Sequence, residues 1–134
     1  MPKADFSKAQ APQAEFTSTV TARHLPEQTD AAKGQYTFAY TVTIRNTGNV
    51  TAQLIARHWI ITDANGRTDE VRGLAVVGHQ PVLKPGEIFE YTSGTRLATP
   101  QGTMRGTFFC MTEYAHAFNA AVPEFGLTIA SALH

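Results

Sequence analysis

Gln35-Tyr36-Thr37-Phe38-Ala39-Tyr40-Thr41-Val42-Thr43-Ile44-Arg45 alternates with a period of two. Tyr36, Phe38, Tyr40, Val42 and Ile44 share one face, while Gln35, Thr37, Thr41, Thr43 and Arg45 share the other. Successive side chains of a strand point to opposite sides, so this pattern is a half-buried β-strand and leaves almost no room for a helix. Threonine suits the outer face, because β-branched side chains fit a pleated surface.

The same period extends outward in both directions. Phe16, Val20 and Ala22 mark an earlier strand that stops before Leu25-Pro26-Glu27. Asn46-Thr47-Gly48-Asn49 has turn chemistry. Thr51 to Asp63 then carries apolar residues on both faces (Leu54, Ile55, Trp59, Ile60, Ile61), which places it in the middle of a sheet. Asp63-Ala64-Asn65-Gly66-Arg67 closes a hairpin, Asn-Gly supplying the positive φ of a tight turn, and a short strand covers Thr68 to Arg72.

Leu83-Lys84-Pro85-Gly86-Glu87 is a further turn. It feeds a strand with Phe89, Tyr91 and Ser93 opposite Ile88, Glu90 and Thr92. Thr103–Glu113 alternates Met104, Gly106, Phe108 and Cys110 against Arg105, Thr107, Phe109 and Met111. The last strands are expected at Phe118–Val122 and, after Pro123, at Phe125–Ile129. Regular turn spacing without an amphipathic helix predicts an all-β sandwich of seven to eight antiparallel strands. Residues 1–13, rich in Ala, Gln, Pro and Lys and aperiodic, read as a disordered arm before a single domain over 14–134.

Composition narrows the function classes. The chain has 134 residues, one domain's worth, with 43% hydrophobic and 16% charged residues. Eleven basic and eleven acidic residues balance, so no global field draws nucleic acid or anionic lipid as a main partner. Cys110 is the only cysteine, which excludes an intramolecular disulfide and fits a reducing compartment. The first ten residues lack an apolar core of signal-peptide length, and the longest aliphatic run, Leu74 to Val77, is far too short to span a bilayer. A cytoplasmic protein without membrane insertion is expected.

Reactive constellations are not evident. His24, His58, His79, His116 and His134 form no short-spaced pair, and no Cys-x-x-Cys or calcium loop occurs, so no metal site and no cofactor are expected. Ser93-Gly94 is not a nucleophile elbow. Cys110 falls on the face of Phe108 and Met104 and reads as core packing, and His58 beside Trp59 as a hydrogen-bonded histidine. Glu87 and Glu90 fall on opposite strand faces, so they are no acid–base pair. A catalytic role is not predicted.

The segment Arg72-Gly73-Leu74-Ala75-Val76-Val77-Gly78-His79-Gln80-Pro81 is the candidate site. Leu74, Val76 and Val77 are apolar where a loop is ordinarily polar, so they either plug the end of the sandwich or form part of a docking surface. Gly73 to Gly78 also offers backbone N–H groups to an anion, with Arg72, Arg96 and Arg105 as candidate flanking cations. Phosphate cradles normally add a helix N-terminus, which Pro81 and Pro85 forbid here.

Asn46-Thr47-Gly48, Arg57-His58-Trp59-Ile60-Ile61-Thr62-Asp63, Val76-Val77-Gly78-x-Gln80-Pro81, Leu83-Lys84-Pro85-Gly86-Glu87, Phe89-x-Tyr91-Thr92-Ser93-Gly94 and Gly102-Thr103-Met104-Arg105-Gly106 occur in order. Together they resemble the ApaG family over about residues 15–130. The resemblance implies a fibronectin type III-like or immunoglobulin-like sandwich. It also implies a link to cobalt and magnesium homeostasis and, from the contexts of related domains, a module that binds a protein partner. The family loop often carries Gly-x-Gly, from which pyrophosphate or nucleotide binding has been inferred. Here Gly73 matches its first glycine, but Ala75 occupies the second position.

Two function classes follow. One is a non-catalytic protein-interaction module using Arg72, Gly73, Val76, Val77, Gly78, His79, Gln80, Pro81 and Arg105. The other is a small-ligand binder or hydrolase for phosphate, pyrophosphate or metal–nucleotide species at the glycine loop. A homodimer formed across an exposed edge strand is a further expectation.

Overall fold

The computed structural model describes residues 11–129. Among them run β1 (Phe16–His24), β2 (Tyr36–Asn46), β3 (Ala52–Asp63), β4 (Thr68–Leu74), β5 (Val82–Leu83), β6 (Ile88–Leu97), β7 (Gln101–Thr112) and β8 (Ala117–Thr128). Among the described residues the only helical pieces are short 3-10 turns at Pro26–Gln28 and Ala31–Lys33. One sheet has the order β1-β2-β6, the other β4-β3-β7-β8 with β5 added to the start of β3. Every pairing is antiparallel. This is the expected fibronectin type III-like sandwich.

The alternation of β2 is what builds the interior. Phe38, Val42 and Ile44 are wholly buried between the sheets, facing Leu54 and Trp59 of β3 and Phe108 and Cys110 of β7. Each such side chain contributes about 1.5–3 kcal/mol on burial. Trp59 meets Phe108 and Tyr40 edge-on, with ring centroids 5.8 and 5.6 Å away. Gly106 lies in register with Trp59, and a side chain there would overlap the indole ring. The absence of a Cβ at Gly106 therefore lets the largest core residue lie flat on its own sheet.

Three details differ from the sequence expectation. Phe118–Val122 and Phe125–Ile129 are not two strands: β8 runs through Pro123 as one. The register steps from Met104↔Phe125 to Gly106↔Val122, so Pro123 and Glu124 bulge out opposite Arg105. A bulge frees the chain from the ladder bond that proline cannot donate. β4 extends past Arg72 to Leu74, and the two-residue β5 lies in what reads as loop.

Residues 1–10 of the expected arm lie outside the described residues. Its last part is held down: Asn49 N donates to Gln13 O (3.0 Å) and Asn49 Nδ2 to Ala11 O (3.1 Å). The neighbouring buried Asn46 uses its whole amide. Nδ2 donates to Val50 O (2.9 Å) and Leu83 O (2.8 Å), and Oδ1 accepts from Gly48 N (2.9 Å).

Candidate functional site

β4 ends at Leu74, and residues 75–81 cross to β5 along the end of β3. Arg57 fastens this crossing. It is on the same face of β3 as Trp59, opposite Phe108, so its stem runs inward. Its Nη1 donates to Leu74 O (2.8 Å) and Ala75 O (3.0 Å). Gly73 pairs with Arg57 across the strands, and a Cβ there would stand 2.8 Å from Nη1. Gly73 thus makes room for a guanidinium of its own chain rather than for a ligand.

Backbone groups of the crossing are mostly engaged. Ala75 N donates to Ile55 O (2.8 Å), Val76 N to His79 O (2.8 Å) and His79 N to Val76 O (2.9 Å). Gln80 Nε2 donates to Ile55 O (2.9 Å), and Pro81 O accepts from Leu54 N (3.0 Å). Val77 and Gly78 form the tip of a two-residue hairpin, with φ of 47° and 78°. That is the type I′ geometry, which favours Asn-Gly; a β-branched residue at positive φ is strained. Ala75 is left-handed as well, at φ 67°.

The apolar residues of this crest divide. Val76 is 0% exposed and belongs to the core, so it plugs the end of the sandwich and is unavailable to a partner. Leu74 and Val77 are 72% and 55% exposed. Beside Leu74, the outer face of the larger sheet forms a groove of about 610 Å³ with Ala56 and Phe109 in its wall and Arg72 and His58 at its rim. Phe109 also borders a second hollow with Ile55, Val82 and Met111, so apolar surface continues toward β5.

At the rim, Glu70 Oε1 accepts from His58 Nε2 (2.7 Å) and Arg72 Nη2 (3.2 Å). These two donors, His58 foremost, hold the Glu70 carboxyl below its ordinary pKa. His79 is exposed, and its ring lies 5.6 Å from that of Phe89, tilted by 56°. Behind the crest, burial raises the Tyr91 hydroxyl pKa, Tyr40 raises it further, and Arg57 opposes both.

The three arginines expected to flank the crest do not converge. Arg72 borders the groove. Arg105, opposite Ile60, borders a neighbouring hollow that shares His58 and Thr107 with the groove and extends away to Pro123 and Glu124. Arg96 is on β6 of the other sheet. The residue missed is Arg57, and its signal was available: a charge in phase with Trp59 and Ile61. Cys110 is fully buried, and burial pushes its thiol up to about 12, far from a reactive thiolate. Among the described residues no group of three or more His, Cys, Asp or Glu converges on a point, and no helix is long and apolar enough to cross a membrane.

A three-on-five antiparallel sandwich with a strained crossover crest defines an all-β protein of the fibronectin type III-like class. Residues 26–112 match the ApaG domain, and the chain belongs to that family. It is 57% identical over 120 residues to protein ApaG of Ralstonia nicotianae, covering 90% of this chain and 97% of that protein. Protein ApaG of Bordetella pertussis is 56% identical over 120 residues, covering 90% of this chain and 92% of the relative. A crystal structure of an ApaA protein from Bordetella pertussis superposes with a TM-score of 0.84 at 56% identity, covering 87% of this chain and 95% of that one.

Proposed function

We propose that this chain is a non-catalytic protein-interaction module whose crest and adjoining groove receive an apolar side chain of a partner flanked by an acidic group. One observation carries the reading: Val77 is exposed, apolar and held at positive φ, where folding alone would favour asparagine. Strain kept at an exposed position points to a role outside the fold. Leu74 of the same crest and Phe109 supply apolar surface in the groove, and Arg72, whose side chain stays 73% exposed beside its contact with Glu70, supplies the cation that an acidic neighbour would meet. The engaged backbone N–H groups and the guanidinium over Gly73 speak against a phosphate cradle. A part in cobalt or magnesium homeostasis would then run through the partner.

The test is selection from a displayed random-peptide library on the full chain. Enriched peptides should carry a large apolar residue beside Asp or Glu. Val77→Asn and Leu74→Asn should each weaken their binding about tenfold or more, as truncated hot spots do. Peptides that bind both variants as well as the parent would place the site elsewhere.

A further inference from the structure

We infer that two copies of this chain join along β6, antiparallel, about a two-fold axis at Ser93. β6 is the outermost strand of its sheet: β2 pairs with one side and, among the described residues, no strand with the other. The edge runs from Ile88 to Leu97 with no proline and no register shift against β2. A long, regular edge of this kind offers a row of unpaired N–H and C=O groups to another strand. The edges on the opposite side, β1 and β8, lie against each other.

The sequence of β6 selects one register. Ile88, Glu90, Thr92, Gly94 and Arg96 share its outer face; Phe89, Tyr91, Ser93, Thr95 and Leu97 face the core side. A copy that continues the sheet must match outer with outer, so the axis falls on a residue and not between two. With the axis at Ser93, Glu90 of each copy meets Arg96 of the other, giving two ion pairs. The same register sets Phe89 against Leu97 and Tyr91 against Thr95, over almost the full strand. An axis at Thr92 puts Glu90 opposite Gly94, and one at Gly94 puts it opposite Ala98. An axis at Glu90 sets like charges together.

Both charges are available. Glu90 and Arg96 are exposed. Glu90 accepts only from the Thr43 hydroxyl (2.8 Å), and Arg96 Nε reaches only Thr37 Oγ1 at 3.4 Å, among the described residues. The other open edge, β4, offers a weaker case. An axis at Val71 would set Glu70 against Arg72, but these two already bond within one chain.

Sedimentation of the full chain tests the pairing. The parent should be a dimer, Glu90→Arg and Arg96→Glu should each raise its dissociation constant about tenfold or more, and the double exchange should restore it. Under oxidation Ser93→Cys should cross-link across the axis, while Val71→Cys should not. A parent that stays monomeric at all concentrations, a dimer indifferent to either reversal, or cross-linking through Val71→Cys instead overturns the inference.

Discussion

The Arg57 guanidinium occupies the space a side chain at Gly73 would need, and from there it binds the carbonyls of Leu74 and Ala75. One pair thereby joins the central strand to the crest. Gly73→Ala should cost about 1–2 kcal/mol, because a displaced guanidinium forfeits charged hydrogen bonds. The cost should vanish in an Arg57→Met background. Urea unfolding of the four proteins in the double-mutant cycle measures it, and equal costs in both backgrounds would mean the residues are not coupled.

Ala75 gives a prediction of opposite sign. At φ 67° its Cβ carries left-handed strain of about 1–2 kcal/mol, which glycine escapes. Glycine also loosens the unfolded chain by about 0.4–1 kcal/mol, so the net gain is smaller. Ala75→Gly should stabilise the domain by roughly 0.5 kcal/mol. A lower unfolding midpoint would contradict the strain argument. Since Ala75 N already donates to Ile55 O, the substitution should confer no pyrophosphate binding by calorimetry.

These two positions show what was legible in the sequence. Tyr36 to Ile44 alternates so cleanly that β2, and with it the sandwich, follows from side-chain period alone. The bulge at Pro123 was not legible, because a proline marks a break without saying whether the chain resumes the same ladder. The crest was legible as unusual but not as a surface. Leu74, Val76 and Val77 are chemically alike, and only tertiary placement turns one inward and leaves two exposed. Arg72 and Arg105 both looked like flanking cations, yet strand register sends them to different hollows.

Asn46 anchors the turn that precedes β3. Its buried amide satisfies two carbonyls and one N–H, and no apolar replacement can do so. Asn46→Ala should therefore cost about 3 kcal/mol, the range for leaving buried polar groups unpaired. Asn46→Asp should be no milder, because a carboxylate cannot donate to Val50 O or Leu83 O. Thermal unfolding of both variants decides it; a loss confined to a few tenths of a kcal/mol would show that the turn relaxes around the change.

Acid dependence should appear at Glu70. Its pKa is lowered from 4.5, first by the hydrogen bond from His58 and then by that from Arg72. A depressed carboxylate stabilises the fold above its ordinary pKa, and that contribution is lost as pH falls through the lowered value. The window therefore opens near pH 4.5 and extends downward, and because Glu70 is exposed the effect is small and screened by salt. Glu70→Gln should flatten the stability profile below pH 4.5. Chemical unfolding across that range, at low and high salt, provides the check. A profile identical to the parent's at low salt would mean that the His58 and Arg72 contacts contribute nothing in solution.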